Sequence, residues 1–257
     1  FRRVLFRSIG ITAVWRIAPW VKMARSVVPP PMSTRATPRS RSSCVSTARA
    51  EASRCIQCPA APCQKACPVH NDIPGAFWLL EQGDVSGGAN VFRETSELPE
   101  MCGRLCPQER LCEGHCVVGK NASPVAIGKL EVFLTETQRR EGTYQRPAVA
   151  PATGKTVAIV GAGPAGIGAA ERLARTGHRV VIYDAWPRAG GLLRYGIPSF
   201  KLNKPAVARK FEDLAAMGVE FVPETFVGRD ISLDTLAAEF DAVFLAFGAP
   251  QDARLGI

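Results

Sequence analysis

The sequence predicts an α-helical, cysteine-rich segment followed by an α/β unit built on a parallel sheet. Three observations predict it. Eight of the nine cysteines fall between Cys55 and Cys116, in two groups of four. A glycine-rich turn, Gly161-Ala-Gly163-Pro-Ala-Gly166, sits between an apolar β run and a helical stretch. Short apolar runs then alternate with helical patterns as far as residue 247, as βαβ units do.

The chain has 257 residues, enough for one large or two small domains with cores of their own. Hydrophobic content of 46% and charged content of 21% fit a soluble globular protein. No run of about 18 apolar residues occurs, so no membrane partner is expected. The net charge of +9 invites a nucleic-acid reading, but its distribution removes it. Of the 32 Lys and Arg, ten lie in residues 1–50, which hold no Asp or Glu; the other 22 face all 23 acids. The body is near neutral, and no nucleic-acid partner is expected.

Residues 1–50 stand apart from the fold reasoning. They are rich in Arg, Ser and Pro without a steady hydrophobic period. They read as a non-native segment, because Phe1 to Ser8 (FRRVLFRS) resembles the translation of a sequencing adapter, or else as a transit-type leader or native disorder. Residues 51–145 form the expected helical domain and residues 146–257 the expected α/β domain.

The first cysteine group is Cys55, Cys58, Cys63 and Cys67 before Pro68, with spacing C-x2-C-x4-C-x3-C-P. The second is Cys102, Cys106, Cys112 and Cys116. No secretory signal precedes them, which disfavours disulfides. A [4Fe–4S] cube needs four soft anionic ligands, three of which a tight loop supplies while the fourth comes from afar. Cys55, Cys58 and Cys63 suit one cube, with Cys67 reaching to a second, as the Cys before Pro does in two-cluster ferredoxins. Zinc is the competing reading, but only Cys55 and Cys58 form a CxxC pair, and eight cysteines exceed the need of one zinc. His70 and His115 read as surface or hydrogen-bonding side chains. Helices are expected over Ile73 to Gln82 and Ala126 to Arg140, the latter with Ile127, Leu130, Phe133 and Leu134 on one face.

The α/β domain starts near Lys155, after a Pro-rich linker. Thr156 to Val160 is a strand, Ile167 to Thr176 a helix, and Arg179 to Tyr183 a second strand closing on Asp184. This is a dinucleotide-binding fingerprint in its required context, and the fold it implies is of Rossmann type. Gly161 makes the turn, Gly163 lets the backbone approach a pyrophosphate, and Gly166 lets helix meet strand. Pro164 and Ala165 belong to the same cofactor-binding turn, and the N-terminus of the helix after it faces the phosphates. Asp184 accepts from ribose hydroxyls. The Gly190-Gly191-Leu192 run just beyond the second strand favours FAD. Lys204 to Met217 reads as a helix, Val219 to Val222 as a strand, and Ala242 to Phe247 as a buried strand.

The order of the Cys-rich segment, GAGPAG, GGLLRYGIP and FDAVFLAFGA resembles the small (beta) subunit of glutamate synthase. It is similar also to the N-terminal part of dihydropyrimidine dehydrogenase and to the large subunit of NADH-dependent ferredoxin:NADP oxidoreductase. The resemblance covers about residues 51–257. It implies that one cluster uses Cys55, Cys58, Cys63 and Cys116. The other would use Cys67, Cys106, Cys112 and Glu131, leaving Cys102 as a bystander; spacing alone also offers Cys102 as the fourth ligand. It implies FAD on Gly161, Gly163, Gly166, Asp184, Gly191, Leu192, Lys201 and Val227. Lys201 stands where Arg is frequent, so a bidentate contact is lost.

The same resemblance implies a second Rossmann domain for NAD(P)H beyond these residues, so that the flavin site here is incomplete and the piece alone inactive. No catalytic acid, base or nucleophile is expected. The function implied is a cytoplasmic electron-transfer subunit. NAD(P)H would reduce FAD, and two [4Fe–4S] clusters would pass single electrons to a partner, foremost the glutamate synthase large subunit. Dihydropyrimidine dehydrogenase, ferredoxin:NADP oxidoreductase and a non-catalytic cofactor-bearing module are the alternatives.

Overall fold

The computed structural model describes residues 41–249. Six helices lead: α1 (Arg41–Ala52), α2 (Pro62–Ala66), α3 (Ile73–Glu81), α4 (Val85–Thr95), α5 (Pro99–Leu105) and α6 (Ile127–Arg140). Three short 3-10 turns connect α5 to α6. Asp72 and Asp84 start α3 and α4 by accepting the N–H groups of Gly75 and Gly87 at 3.1 and 2.7 Å. These side-chain caps satisfy donors that a helix start leaves free. Phe77 of α3 meets Phe92 of α4 with ring centroids 6.3 Å apart, and both are fully buried.

α6 carries the predicted apolar face: Ile127, Leu130 and Leu134 are buried, and Phe133 packs against the same core. Its crossing with α5 is close. A β-carbon added to Gly103 would stand 2.8 Å from the carbonyl oxygen of Gly128. Glycine on both helices lets the backbones approach and brings the end of α5 to Glu131.

The leader reading of residues 1–40 lies outside the described residues. Residues 41–50 correct the reading that set them with that leader. They belong to α1, whose Ala48 and Ala52 are buried with Ile73, Phe77 and Leu130. Small side chains pack there although the segment's charge pattern is uniformly basic, and charge pattern was the signal that had separated it.

The second part holds β1 (Thr156–Val160), α7 (Pro164–Arg175), β2 (Arg179–Tyr183), α8 (Leu192–Tyr195) and α9 (Lys204–Ala216). β3 (Glu220–Val222), α10 (Leu233–Glu239) and β4 (Ala242–Leu245) follow. The sheet is parallel throughout, in the order β3-β2-β1-β4. Ile159 and Ile182 face α7 and α9 on one side; Ala158, Val160 and Val181 face Leu236 and Phe240 on the other. The strand predicted as buried over Ala242 to Phe247 is shorter and open. Phe244 and Leu245 are 42% and 45% exposed. β4 is the sheet's edge, and α10 covers only Val243.

The two parts share a seam. Met101 of α5 is buried in the core of the α/β part, and Leu98 and Leu105 pack against it. Charged bridges flank this contact. Arg139 of α6 donates to Asp213 of α9 at 2.6 Å, and Glu136 takes both Arg104 at 3.0 Å and Arg209 at 2.9 Å. Glu97 pairs with Arg172 of α7. Among the described residues no helix is long and apolar enough to cross a membrane.

Candidate functional site

The cysteines separate into two sets in space, and the sets interleave in sequence. Cys55, Cys58, Cys63 and Cys116 line one cavity, with Ile56, Pro62, Pro74, Val117 and Val118 as an apolar wall. The loop that makes this possible is tightly wound: Gln57 and Ala61 take left-handed backbone angles (φ 50° and 38°). Such angles strain a residue with a β-carbon, and they fold the thiols of a short segment toward one side. The N–H groups of Gln57 and Gln64 donate to the sulfurs of Cys55 and Cys63. Burial pushes the Cys63 thiol up to about 11, with Cys55, Cys116 and Cys58 as charged neighbours adding to it. His115 borders the same cavity, but its Nδ1 is hydrogen-bonded to the Leu111 carbonyl at 2.8 Å. His70 is exposed.

A second region gathers Cys67, Cys102, Cys106, Cys112 and Glu131. Cys106 and Cys112 each lie within electrostatic reach of Glu131 and Cys67. Burial pushes the Cys112 thiol up to about 12, against an N–H donated by Glu113. Glu131 is only 6% exposed, and its Oε1 has no hydrogen-bond partner. Burial raises its pKa well above the carboxylate range, and Cys102 adds to the rise. An unpartnered buried carboxylate oxygen is costly by about 1–3 kcal/mol unless something binds it. Cys102, one helical turn before Cys106, is the neighbour that holds the Cys106 thiol below its ordinary value.

Among the described residues no three His, Cys, Asp or Glu side chains converge on a point where one metal ion could sit. A mononuclear zinc needs that convergence. A four-iron cube does not, because each ligand meets a different iron at a different corner.

The glycine turn follows β1 as expected. Gly161 has φ 106°, and a β-carbon there would lie 2.4 Å from the Ala246 carbonyl oxygen. A β-carbon on Gly166 would lie 1.9 Å from the Gly161 oxygen, so α7 rests directly on the turn. Gly163 has nothing within 4 Å of that position, and no side chain caps the start of α7. Pro164 and Ala165 are exposed there. The start of α7 is thus uncapped and open above Gly163, the arrangement that binds phosphate.

Gly190 donates to the Ala162 carbonyl at 2.9 Å, and Gly191 packs on Gly163. Leu192 is 69% exposed beside them. Asp184 is buried, and both its oxygens are engaged: Oδ2 accepts the N–H of Ala162 at 2.5 Å, and Oδ1 that of Trp186 at 2.8 Å. The expected ribose acceptor thus braces the glycine turn. Lys201 is exposed on the turn before α9. Val227 packs on the far face of the sheet, close after Thr225, whose N–H donates to the Asp184 carbonyl at 2.9 Å. Sequence reasoning missed Trp186 and Tyr195, which stack with centroids 4.9 Å apart beside Asp184 and Gly191. Two exposed aromatics bracketing a glycine pair were the available signal.

Residues 36–143 match the family described as dihydropyrimidine dehydrogenase domain II, 4Fe-4S cluster, and residues 159–206 match the NAD(P)-binding Rossmann-like domain. The glutamate synthase [NADPH] small chain of Escherichia coli (strain K12) is 43% identical over 210 residues, 82% of this chain and 44% of its own length. That of Halomonas elongata is 43% identical over 78% of this chain and 43% of its own. The Escherichia coli protein AegA, named as an oxidoreductase, is 42% identical over 82% of this chain and 32% of its own. A solved structure of Mycobacterium tuberculosis FprA in complex with NADPH, 28% identical over 42% of this chain and 25% of its own, aligns with a TM-score of 0.37, too low to bear on the site. The chain spans less than half the length of the curated relatives it matches. With a match to a 4Fe-4S domain, a match to a Rossmann-like domain and 43% identity across four fifths of its residues, the chain is a homologue of the glutamate synthase small chains over less than half of their length.

Proposed function

We propose that this chain is the electron-transfer part of an NAD(P)H-dependent oxidoreductase, carrying two [4Fe–4S] clusters and FAD and delivering electrons to a partner subunit. One cluster is held by Cys55, Cys58, Cys63 and Cys116, the other by Cys67, Cys106, Cys112 and Glu131. The observation that carries this reading is Glu131: a buried carboxylate with an unpartnered oxygen, facing Cys106 and Cys112 from the adjoining helix. The donor set fits soft iron, with one hard oxygen as the exception. Bound there, the clusters supply one-electron transfer, and FAD exchanges electrons singly or in pairs.

The residues supply the rest. Pro62, Val117 and Val118 form an apolar wall on the first set, with Ile56 exposed at its rim. N–H groups of Gln57, Gln64 and Glu113 donate to ligand sulfurs, which makes reduction easier. The open space over Gly163 and the uncapped start of α7 receive the FAD pyrophosphate. Gly161, Gly166, Gly190 and Gly191 set that backbone, Leu192 lies exposed beside it, and the family resemblance adds Lys201 and Val227 to the FAD site. The two parts act as domains over residues 51–145 and 146–257, with α1 completing the first.

The identity to glutamate synthase small chains favours a glutamate synthase large subunit as the partner and glutamate formation as the outcome. Residues 36–143 carry the dihydropyrimidine dehydrogenase match, which supports pyrimidine reduction as the second reading. Spectra of the anaerobically reconstituted, reduced chain test the ligand sets. Cys116→Ala and Glu131→Ala should each remove or alter one EPR signal, and a different one. Loss of the same signal in both, or of neither, would sink the assignment.

A further inference from the structure

The end of β2 and the helix α8 carry two exposed aromatic side chains outside the glycine turn itself. Trp186, two residues after Asp184, is 55% exposed, and Tyr195 is 44% exposed. Their rings stack with centroids 4.9 Å apart and 29° between the planes. Backbone holds both in place. The N–H of Trp186 donates to Asp184 Oδ1 at 2.8 Å, and the Trp186 carbonyl accepts the N–H of Glu224 at 3.4 Å. The N–H of Tyr195 donates to the Gly191 carbonyl at 2.9 Å, and the Tyr195 hydroxyl bonds to both the N–H and the carbonyl of Arg188 at 3.1 Å. Gly191 in turn packs on Gly163. The stack is thus fixed to the rim of the phosphate cradle with much of its surface open. An immobilised aromatic face loses little conformational freedom on binding and suits a flat base.

Topology says which base. β2 and β3 lie on one side of β1 and β4 on the other, so the strand order reverses between β1 and β4. A dinucleotide with its pyrophosphate at the start of α7 lies across that point, with its adenosine toward β2, whose terminal acid ordinarily takes the ribose 2′-hydroxyl. Here that acid is turned inward. Asp184 is 8% exposed, and its two oxygens hold the N–H groups of Ala162 and Trp186. We infer that this chain holds the adenosine end of FAD by stacking the adenine on Trp186, backed by Tyr195, in place of a carboxylate grip on the ribose. The inference rests on the reading that FAD occupies this cradle. Trp186 is then a specificity-determining residue: it recognises the base that FAD has and FMN lacks, and the ribose 2′-hydroxyl goes unread.

The test titrates the full chain by equilibrium dialysis with FAD, with FAD lacking the adenosine 2′-hydroxyl, and with FMN. Wild type should bind FAD and its deoxy analogue within about twofold of each other, because a hydroxyl that meets no built acceptor gives little discrimination. Trp186→Ala should bind FAD about tenfold more weakly, the worth of one base–aromatic stack, and FMN with unchanged affinity. Trp186→Phe, which keeps an aromatic face, should recover most of the loss. The deoxy comparison in wild type carries the test if Trp186→Ala does not fold. With Gly163→Ala still weakening FAD binding, three results would each overturn the inference and leave the FAD reading standing. They are unchanged FAD affinity in Trp186→Ala, an equal loss for FMN, and a loss of about tenfold or more for the deoxy analogue. Failure of Gly163→Ala to weaken FAD binding would overturn the FAD reading and the inference together.

Discussion

Gly163 and Gly166 stand three residues apart in one motif, and the structure asks different things of them. A β-carbon at 166 collides with the Gly161 carbonyl, whereas one at 163 enters empty space. Gly166→Ala should therefore destabilise the chain by about 1–3 kcal/mol, as overpacking does. Gly163→Ala should leave stability within about 0.5 kcal/mol and weaken FAD binding instead. Denaturant unfolding together with flavin titration separates the two outcomes; equal destabilisation by both would show that 163 is a packing position. Asp184 teaches the converse lesson. Its place after β2 was legible from the fingerprint, yet its oxygens bond to Ala162 of the glycine turn and to Trp186, partners that only the folded β1–β2 arrangement brings to it.

At the scale of elements, α5 joins everything. Its seven residues carry Glu100, Met101 and Cys102 in succession, with Cys106 as the C-terminal cap. Met101 enters the core of the α/β part while Glu100 accepts from Arg93 at 2.7 Å and Arg139 at 2.8 Å. Burial alone would raise the Glu100 pKa, but the two guanidinium groups outweigh it and hold it at about 2 against an ordinary 4.5. The depressed value adds up to about 3 kcal/mol of stability above pH 4.5, which is lost as pH falls from 4.5 toward 2. Glu100→Gln should flatten that limb of a stability–pH curve and cost a few kcal/mol near neutrality, since it leaves buried Arg charge unpaired. An unchanged acid limb would contradict the role given to Glu100.

α5 was one of several helices that the sequence hid, α1, α2, α4, α8 and α10 among them. Seven residues, with Pro, Gly and Cys among them, show no helical period, whereas α6 announced itself through Ile127, Leu130 and Leu134. The strands β1 and β2 were legible to the residue because buried parallel strands read as continuous apolar runs between turn signals. β4 had the same apolar run and the opposite burial. Burial depends on which strand ends at the sheet edge, a property of topology rather than of the run itself.

For the whole molecule, the seam between the helical and α/β parts decides how the cofactor sites relate. Met101 supplies shared packing, and Asp213 gathers Arg139 and the Tyr144 hydroxyl, at 2.6 and 3.1 Å, from the helical side. The interleaving of the cysteines was only partly legible. Spacing predicts that short loops supply three ligands, but which distant residue closes each set depends on how α6 and the final 3-10 turns fold back. Cys116 reaches the first cavity, and Glu131 faces the second set, through that folding alone. The account stands or falls on there being two cubes. Iron and acid-labile sulfide analysis of the full chain, reconstituted anaerobically and desalted, measures this directly. The account predicts about eight iron and about eight sulfide per chain, with no zinc. About four iron per chain, or stoichiometric zinc without sulfide, would contradict it.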